Sequence, residues 1–225
     1  MEIRYWRRVA KLDPVRPHSQ GLIDRVAKSP FDAIVIGGTW GVTAQNATDL
    51  ALSLRKVRVR LPVWQELSGE QDVAFGMDGY FVPMVLNTAD ITYLARSHVR
   101  AIRNYRGRIA WRYIVPTGYI VMRSDCAVAR RTRAETPRDM EDVIAYAEYG
   151  VRFCGLSMLY VEYSGALGDP AVPARLREEF PDIQIFYGGG IASNDDMERY
   201  LAASSAVVVG NALYDRAQTD LLTQR

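Results

Sequence analysis

The stretch Ile183-Gln-Ile-Phe-Tyr-Gly-Gly-Gly190-Ile191 leads into a helical pattern at 194–202 and then into Ala206-Val-Val-Val-Gly-Asn211-Ala212, and it reads as strand, helix, strand with glycine at each strand end. Short, continuously apolar, β-branched runs suit strands covered on both faces, and strands separated by helices imply a parallel sheet. The same alternation extends backward along the chain. Further strand candidates lie at 9–12, 32–37, 61–64, 80–83, 119–122 and 159–162, and amphipathic segments lie at 43–55, 91–105, 137–150 and 171–180. Eight strand candidates in 225 residues predict one (β/α)8 barrel, a single domain over 1–225, near the short end of the roughly 200 to 400 residues such barrels span. A doubly wound open sheet is disfavoured, because no GxGxxG follows the first strand and the glycines come late, after the last two strands. Residues 64–79 carry only a weak helical pattern, so one barrel helix is expected to be missing or irregular there.

At 48% hydrophobic and 24% charged residues the composition is that of a globular domain able to bury a sizeable core. Twenty-eight Lys and Arg against 26 Asp and Glu leave a net charge of +2, which gives no basis for general nucleic-acid binding, so any anion site must be local. Cys126 and Cys154 have no metal-ligand spacing and no neighbouring His, and read as inert thiols. The N-terminal residues include Arg4, Arg7 and Arg8 but no apolar core, so no secretory signal is expected. No run approaches the roughly 20 apolar residues of a membrane span, and the cytoplasm is the expected compartment.

Functional groups of such a barrel come from the C-terminal strand ends and the loops after them. Here those are Lys11 and Asp13, Gly37-Gly38-Thr39, Tyr160-Val161-Glu162-Tyr163-Ser164-Gly165, Gly188-Gly189-Gly190 and Gly210-Asn211. Glycines at both of the last two strand ends place backbone N–H groups and helix starts toward one point, a phosphate grip; the plainer reading is that they only make tight turns. Glu162 ends a strongly apolar strand, where an unpaired carboxylate is costly. It suits a general base acting on a substrate hydroxyl, against the alternative of a structural ion pair with an arginine. Lys11 and Asp13 either pair with each other, or divide the work, Lys11 meeting phosphate and Asp13 binding Mg²⁺.

Taken together, Lys11-Leu-Asp-Pro14, Ile36-Gly-Gly-Thr39, Val85-Leu-Asn87, Gly118-Tyr119, Tyr160-Val-Glu-Tyr-Ser-Gly165, Gly168-Asp169, Phe186-Tyr-Gly-Gly-Gly-Ile191 and Val209-Gly-Asn-Ala212 resemble the geranylgeranylglyceryl phosphate and heptaprenylglyceryl phosphate synthase family, closest to its bacterial PcrB branch. The resemblance implies Mg²⁺-dependent transfer of a prenyl group from a polyprenyl diphosphate to sn-glycerol-1-phosphate. It further implies that Lys11, Tyr160 to Gly165, Gly188, Gly190, Gly210 and Asn211 hold glycerol phosphate, with Tyr119 nearby. Asp13 and Thr39 would ligate the metal, and Glu162, with Tyr160 beside it, would orient the glycerol and act as base. Ala101 and Tyr105 fall on the helix that flanks the prenyl channel in the family. Ala101 stands where archaeal members carry a bulky aromatic ruler, so a donor longer than geranylgeranyl, heptaprenyl foremost, is expected unless Ala101 is an ordinary helix residue. A homodimer and a transient membrane contact for the lipid product are also implied.

Three positions depart from the family pattern: Trp40 after Thr39, Thr117 before Gly118-Tyr119, and Arg8. The competing functions are a barrel isomerase or lyase acting on a phosphorylated metabolite, with Asp13 and Glu162 as its acid and base, and a phosphometabolite-binding protein without prenyl transfer. An apolar groove leading from the site would favour prenyl transfer.

Overall fold

Side-chain alternation along eight parallel strands divides the core in two. Val9, Val35, Trp64, Phe81, Tyr119, Met158, Phe186 and Val208 point inward and fill the interior of a closed barrel. Their neighbours Leu12, Ile34, Leu159, Val161, Ile185 and Val207 point outward against helix residues such as Leu22, Leu54 and Leu176. Burial on both faces is why the strand runs are continuously apolar. The computed structural model describes residues 3–215, so the ends of the 1–225 domain lie outside the described residues.

The strands are β1 (Arg8–Leu12), β2 (Ala33–Ile36), β3 (Val63–Glu66), β4 (Gly79–Val85), β5 (Ile114–Val121), β6 (Met158–Glu162), β7 (Gln184–Gly188) and β8 (Ala206–Val209), each paired with the next and β8 with β1. The expected (β/α)8 barrel is present. The third strand lies two residues further along than its apolar run suggested, ending in the polar pair Gln65-Glu66. Gln65 is wholly buried: its amide donates to the Asp72 carbonyl at 2.6 Å and accepts from the Ala74 N–H at 2.9 Å. Tyr80 donates to the Ala74 carbonyl at 2.8 Å. These bonds fasten residues 67–78 over β3 and β4 in place of a helix, so the expected gap in the helical ring is found among the described residues. The fifth strand begins five residues earlier than its apolar run, because Pro116, Thr117 and Gly118 interrupt the hydrophobic pattern.

The helices are α1 (Gln20–Lys28), α2 (Ala44–Lys56), α3 (Ser97–Tyr105), α4 (Ala127–Thr132), α5 (Met140–Glu148), α6 (Ala171–Glu179) and α7 (Asn194–Ala203). Sequence reading missed α1 and α4. Thr43 with Asn46 and Ser193 with Asp196 form reciprocal capping boxes at the starts of α2 and α7. A π-helical turn, Thr92–Arg96, leads into α3, and neither segment contains a buried residue. After β8 the chain makes a 3₁₀ turn, Asn211–Tyr214, where a helix was expected.

Candidate active site

The inward alternation that fills the barrel continues to its C-terminal mouth, where it delivers Lys11 from β1, Glu66 from β3, Tyr119 from β5, and Tyr160 and Glu162 from β6. The Lys11 ammonium donates to both oxygens of Glu66, at 2.7 and 2.9 Å. Tyr119 donates to the same carboxylate and stacks flat on Tyr160, with ring centroids 4.4 Å apart. Lys11 therefore pairs with Glu66 and not with Asp13. Burial pulls the Lys11 pKa down, but the Glu66 and then the Glu162 carboxylates outweigh it and leave it raised.

Glu162 is buried, and among the described residues no arginine or lysine approaches within ion-pair distance, contrary to the structural-pair reading. Its Oε1 accepts the Ser164 N–H at 2.5 Å, a contact made by Ser164 turning to φ 44°. Burial raises the Glu162 pKa; Lys11 pulls it back, Glu66 pushes it further up, and the net is a raised value. A carboxylate so placed is a stronger base than an exposed one.

Glu66 was not foreseen, since its strand appeared to end at Trp64. The signal was nonetheless present: Glu66-Leu-Ser-Gly69 and Glu162-Tyr-Ser-Gly165 end β3 and β6 with the same Glu-x-Ser-Gly pattern. Gly37 is its structural counterpart, because a Cβ there would stand 2.9 Å from the Cβ of Glu66.

The late glycines serve two purposes. A Cβ on Gly188 would stand 2.0 Å from the Tyr160 hydroxyl, and one on Gly190, at φ +60°, would stand 2.3 Å from the Leu167 nitrogen. They are thus required for close packing and turning, the plainer of the two readings. In addition, among the described residues the N–H groups of Gly190, Ile191, Gly210 and Asn211 donate to no backbone acceptor, which leaves amides for an anion. The start of α7 itself is not open, because Asp196 accepts from the Ala192 and Ser193 N–H groups. Arg16 donates to the Asn211 side chain at 3.0 Å and lies over the Tyr214 ring.

Asp13 and Thr39 lie at adjacent strand ends on the rim of the same cavity. Asp13 Oδ1 accepts the Val15 N–H at 3.0 Å, while Oδ2 takes no hydrogen bond from the described residues. A Cβ on Gly38 would stand 2.6 Å from Oδ1, so the glycine makes room for the carboxylate. No group of three or more His, Cys, Asp or Glu side chains is clustered for metal binding among the described residues. One carboxylate and one hydroxyl nevertheless make a partial donor set suited to Mg²⁺, which commonly takes few protein ligands and completes its shell from phosphate and water.

The mouth opens into a cavity of about 700 Å³. Strand β3 pairs with β4 only as far as Phe81, so the last four residues of β4 have an open edge. His98 of α3 reaches it, its Nε2 lying 2.9 Å from the Pro83 carbonyl. Beside this edge the same cavity is also lined by Val82, Pro83, Val85, Tyr93 and Ala101, which form its apolar groove. Tyr105 is not part of this lining; its ring packs against Phe75 at 6.0 Å. Val161 and Tyr163 point outward into the helix layer, so only their backbones lie near the mouth. Ser164, Gly165, Gly188, Gly190, Gly210 and Asn211 all border the cavity.

Of the three departures, Arg8 lies at the opposite end of β1, paired with Glu198. Thr117 is buried in the barrel interior, donating to the Val115 carbonyl at 3.1 Å. Trp40 is 57% exposed under the Arg131 guanidinium, which also donates to the Thr39 carbonyl.

A closed parallel barrel with buried ionisable groups at its C-terminal mouth defines a (β/α)8-barrel enzyme. Over residues 1–224 the chain matches the PcrB family, and it belongs to that family. It is 37% identical over 222 residues to the heptaprenylglyceryl phosphate synthase of Geobacillus kaustophilus, covering 99% of this chain and 92% of the relative. To the protein of the same name from Anoxybacillus flavithermus it is also 37% identical, covering 99% and 95%. Among solved structures, (S)-3-O-geranylgeranylglyceryl phosphate synthase of Thermoplasma acidophilum, in complex with sn-glycerol-1-phosphate, superposes with a TM-score of 0.84 at 20% identity, covering 98% of this chain and 92% of the other. That likeness establishes the shared fold.

Proposed function

We propose that this chain, one domain over residues 1–225, is a prenyltransferase that joins a long-chain polyprenyl diphosphate, with heptaprenyl favoured over geranylgeranyl, to sn-glycerol-1-phosphate. The observation that carries the reading is the single cavity joining a buried carboxylate and open backbone amides to an apolar groove beneath α3. An isomerase or lyase of a small phosphorylated metabolite has no use for that groove, and neither has a phosphometabolite-binding protein.

In this reading the amides of Gly190, Ile191, Gly210 and Asn211 hold the acceptor phosphate. Tyr160, Ser164 and Gly165 line the glycerol. Glu162 accepts the proton of the glycerol hydroxyl while that oxygen forms an ether bond to the first carbon of the prenyl chain and the carbon–oxygen bond to diphosphate breaks. Lys11, already neutralised by Glu66, is positioned to share its remaining proton donor with a substrate oxygen. Asp13 and Thr39 would hold Mg²⁺, which when bound would offset the charge of the departing diphosphate. The protein otherwise contributes positioning and a water-poor surround.

The same reading makes the enzyme a cytoplasmic homodimer that meets the membrane transiently to deliver its lipid product. No helix among the described residues is long and apolar enough to cross a membrane. The test is incubation with radiolabelled glycerol-1-phosphate and prenyl diphosphates of increasing length, followed by extraction into organic solvent. Label in a prenylglyceryl phosphate with diphosphate release is expected; no extractable label with any donor would overturn the assignment.

A further inference from the structure

Helix α3 itself contributes no residue to the hydrophobic core, whose clusters it meets only through Tyr93 and Leu94 of the preceding turn. A nine-residue helix is marginal by itself, yet α3 and the π turn before it bury no residue. Ser97, His98 and Ala101 face the groove. The opposite side presents Val99 and Ile102, 65% and 42% exposed, and the chain that follows presents Trp111 and Tyr113. Phe75 of the β3–β4 loop, also exposed, lies against Tyr105 at the end of the same helix.

The charge of this segment is one-sided. Residues 91–113 contain six arginines, at 96, 100, 103, 106, 108 and 112, and no Asp or Glu, in a chain whose net charge is only +2. Arg100 is paired with Glu70. Arg108 and Arg112 lie over the rings of Tyr105 and Tyr113, which keeps cations beside aromatic groups. Arginines flanking exposed Val, Ile, Trp and Tyr have the composition of a surface that inserts apolar groups at the boundary of a bilayer while its cations meet anionic headgroups.

We propose that the outer face of α3 and the turn Trp111–Tyr113 dock the protein onto an anionic lipid bilayer. The inference rests on the prenyltransferase reading, since docking here sets the helix that roofs the apolar groove against the phase from which a long-chain donor comes and to which its product returns. A second copy of the chain is a poorer occupant, because a two-fold interface would bring this acid-free stretch against itself.

The test is co-sedimentation with vesicles of phosphatidylcholine alone and of phosphatidylcholine mixed with phosphatidylglycerol, at low and high salt. The wild type is expected to pellet with the anionic vesicles and to be released by salt. Arg103→Glu combined with Arg106→Glu should lower partitioning by at least about 25-fold, roughly fivefold for each arginine removed from the membrane surface. Val99→Ser with Ile102→Ser should lower it without changing its salt dependence. Turnover of a donor dispersed in detergent should be unaffected in both variants, and this assay reads prenyl transfer separately: an inactive wild type sinks the enzyme assignment, whereas an active one that ignores anionic vesicles sinks the docking surface. Equal pelleting of wild type and the charge-reversed variant would overturn the proposal. So would conversion of a wild-type dimer to monomer by these substitutions, measured by light scattering, which would assign the face to a second copy.

Discussion

Glu162, the proposed base, illustrates what a buried carboxyl costs its fold. A carboxyl whose folded pKa exceeds its unfolded value binds its proton more tightly when folded, so stability declines as the pH rises from the ordinary value of 4.5 through the raised one. Glu162→Gln is neutral throughout. It is therefore expected to melt at a higher temperature than the wild type at neutral pH, with the gap closing as the pH falls below the ordinary carboxyl range, while turnover drops by about 10²–10⁴-fold. Melts across pH and initial rates check both halves; unchanged turnover would make Glu162 structural. Gly188 makes the complementary case of a residue defined by the space it leaves. Its substitution by Ala would set a Cβ 2.0 Å from the Tyr160 hydroxyl, with an expected loss of about 1–3 kcal/mol from overpacking and a displaced Tyr160, measured by denaturant unfolding and by turnover.

Among the elements, α3 and the segment 67–78 together shape the groove. The Gln65 side chain ties down a loop in place of a helix, and the early end of β3 leaves the end of β4 unpaired beside α3. Ala101 faces this space from α3. Ala101→Trp is expected to keep activity with shorter donors and to lose the longer ones, because each further isoprene needs apolar surface that the indole would occupy. An unchanged length profile would put the limit elsewhere on the groove. Tyr105, one turn further along, packs on Phe75 outside the groove lining, so the far end of the groove is set by neighbouring elements as well as by α3.

Across the whole molecule, the site divides by position around the barrel. The amides after β7 and β8 form one half of the mouth, and Asp13 and Thr39 after β1 and β2 form the next. A crystal grown with sulfate should show the anion on the N–H groups of Gly190, Ile191, Gly210 and Asn211; sulfate found only at surface arginines would remove the basis for that subsite. Asp13→Ala should abolish Mg²⁺-dependent turnover while leaving glycerol phosphate affinity, measured by calorimetry, close to that of the wild type. Equal loss of both would move Asp13 to the acceptor side or to the fold.

The barrel, the missing helix, the late glycine turns and the placing of Lys11, Asp13, Tyr160 and Glu162 at strand ends were legible from the sequence alone, because each depends on periodicity and on residues close together along the chain. The grip of Glu66 on Lys11, 55 residues away, was not, nor were the stacking of Tyr119 on Tyr160, the occupation of the α7 start by Asp196, and the open edge of β4. A strand's sequence reports which side chains share a face. Only strand register and barrel closure decide which of them meet, so the pairing of charges at the mouth and the exit from it were determined by the tertiary structure.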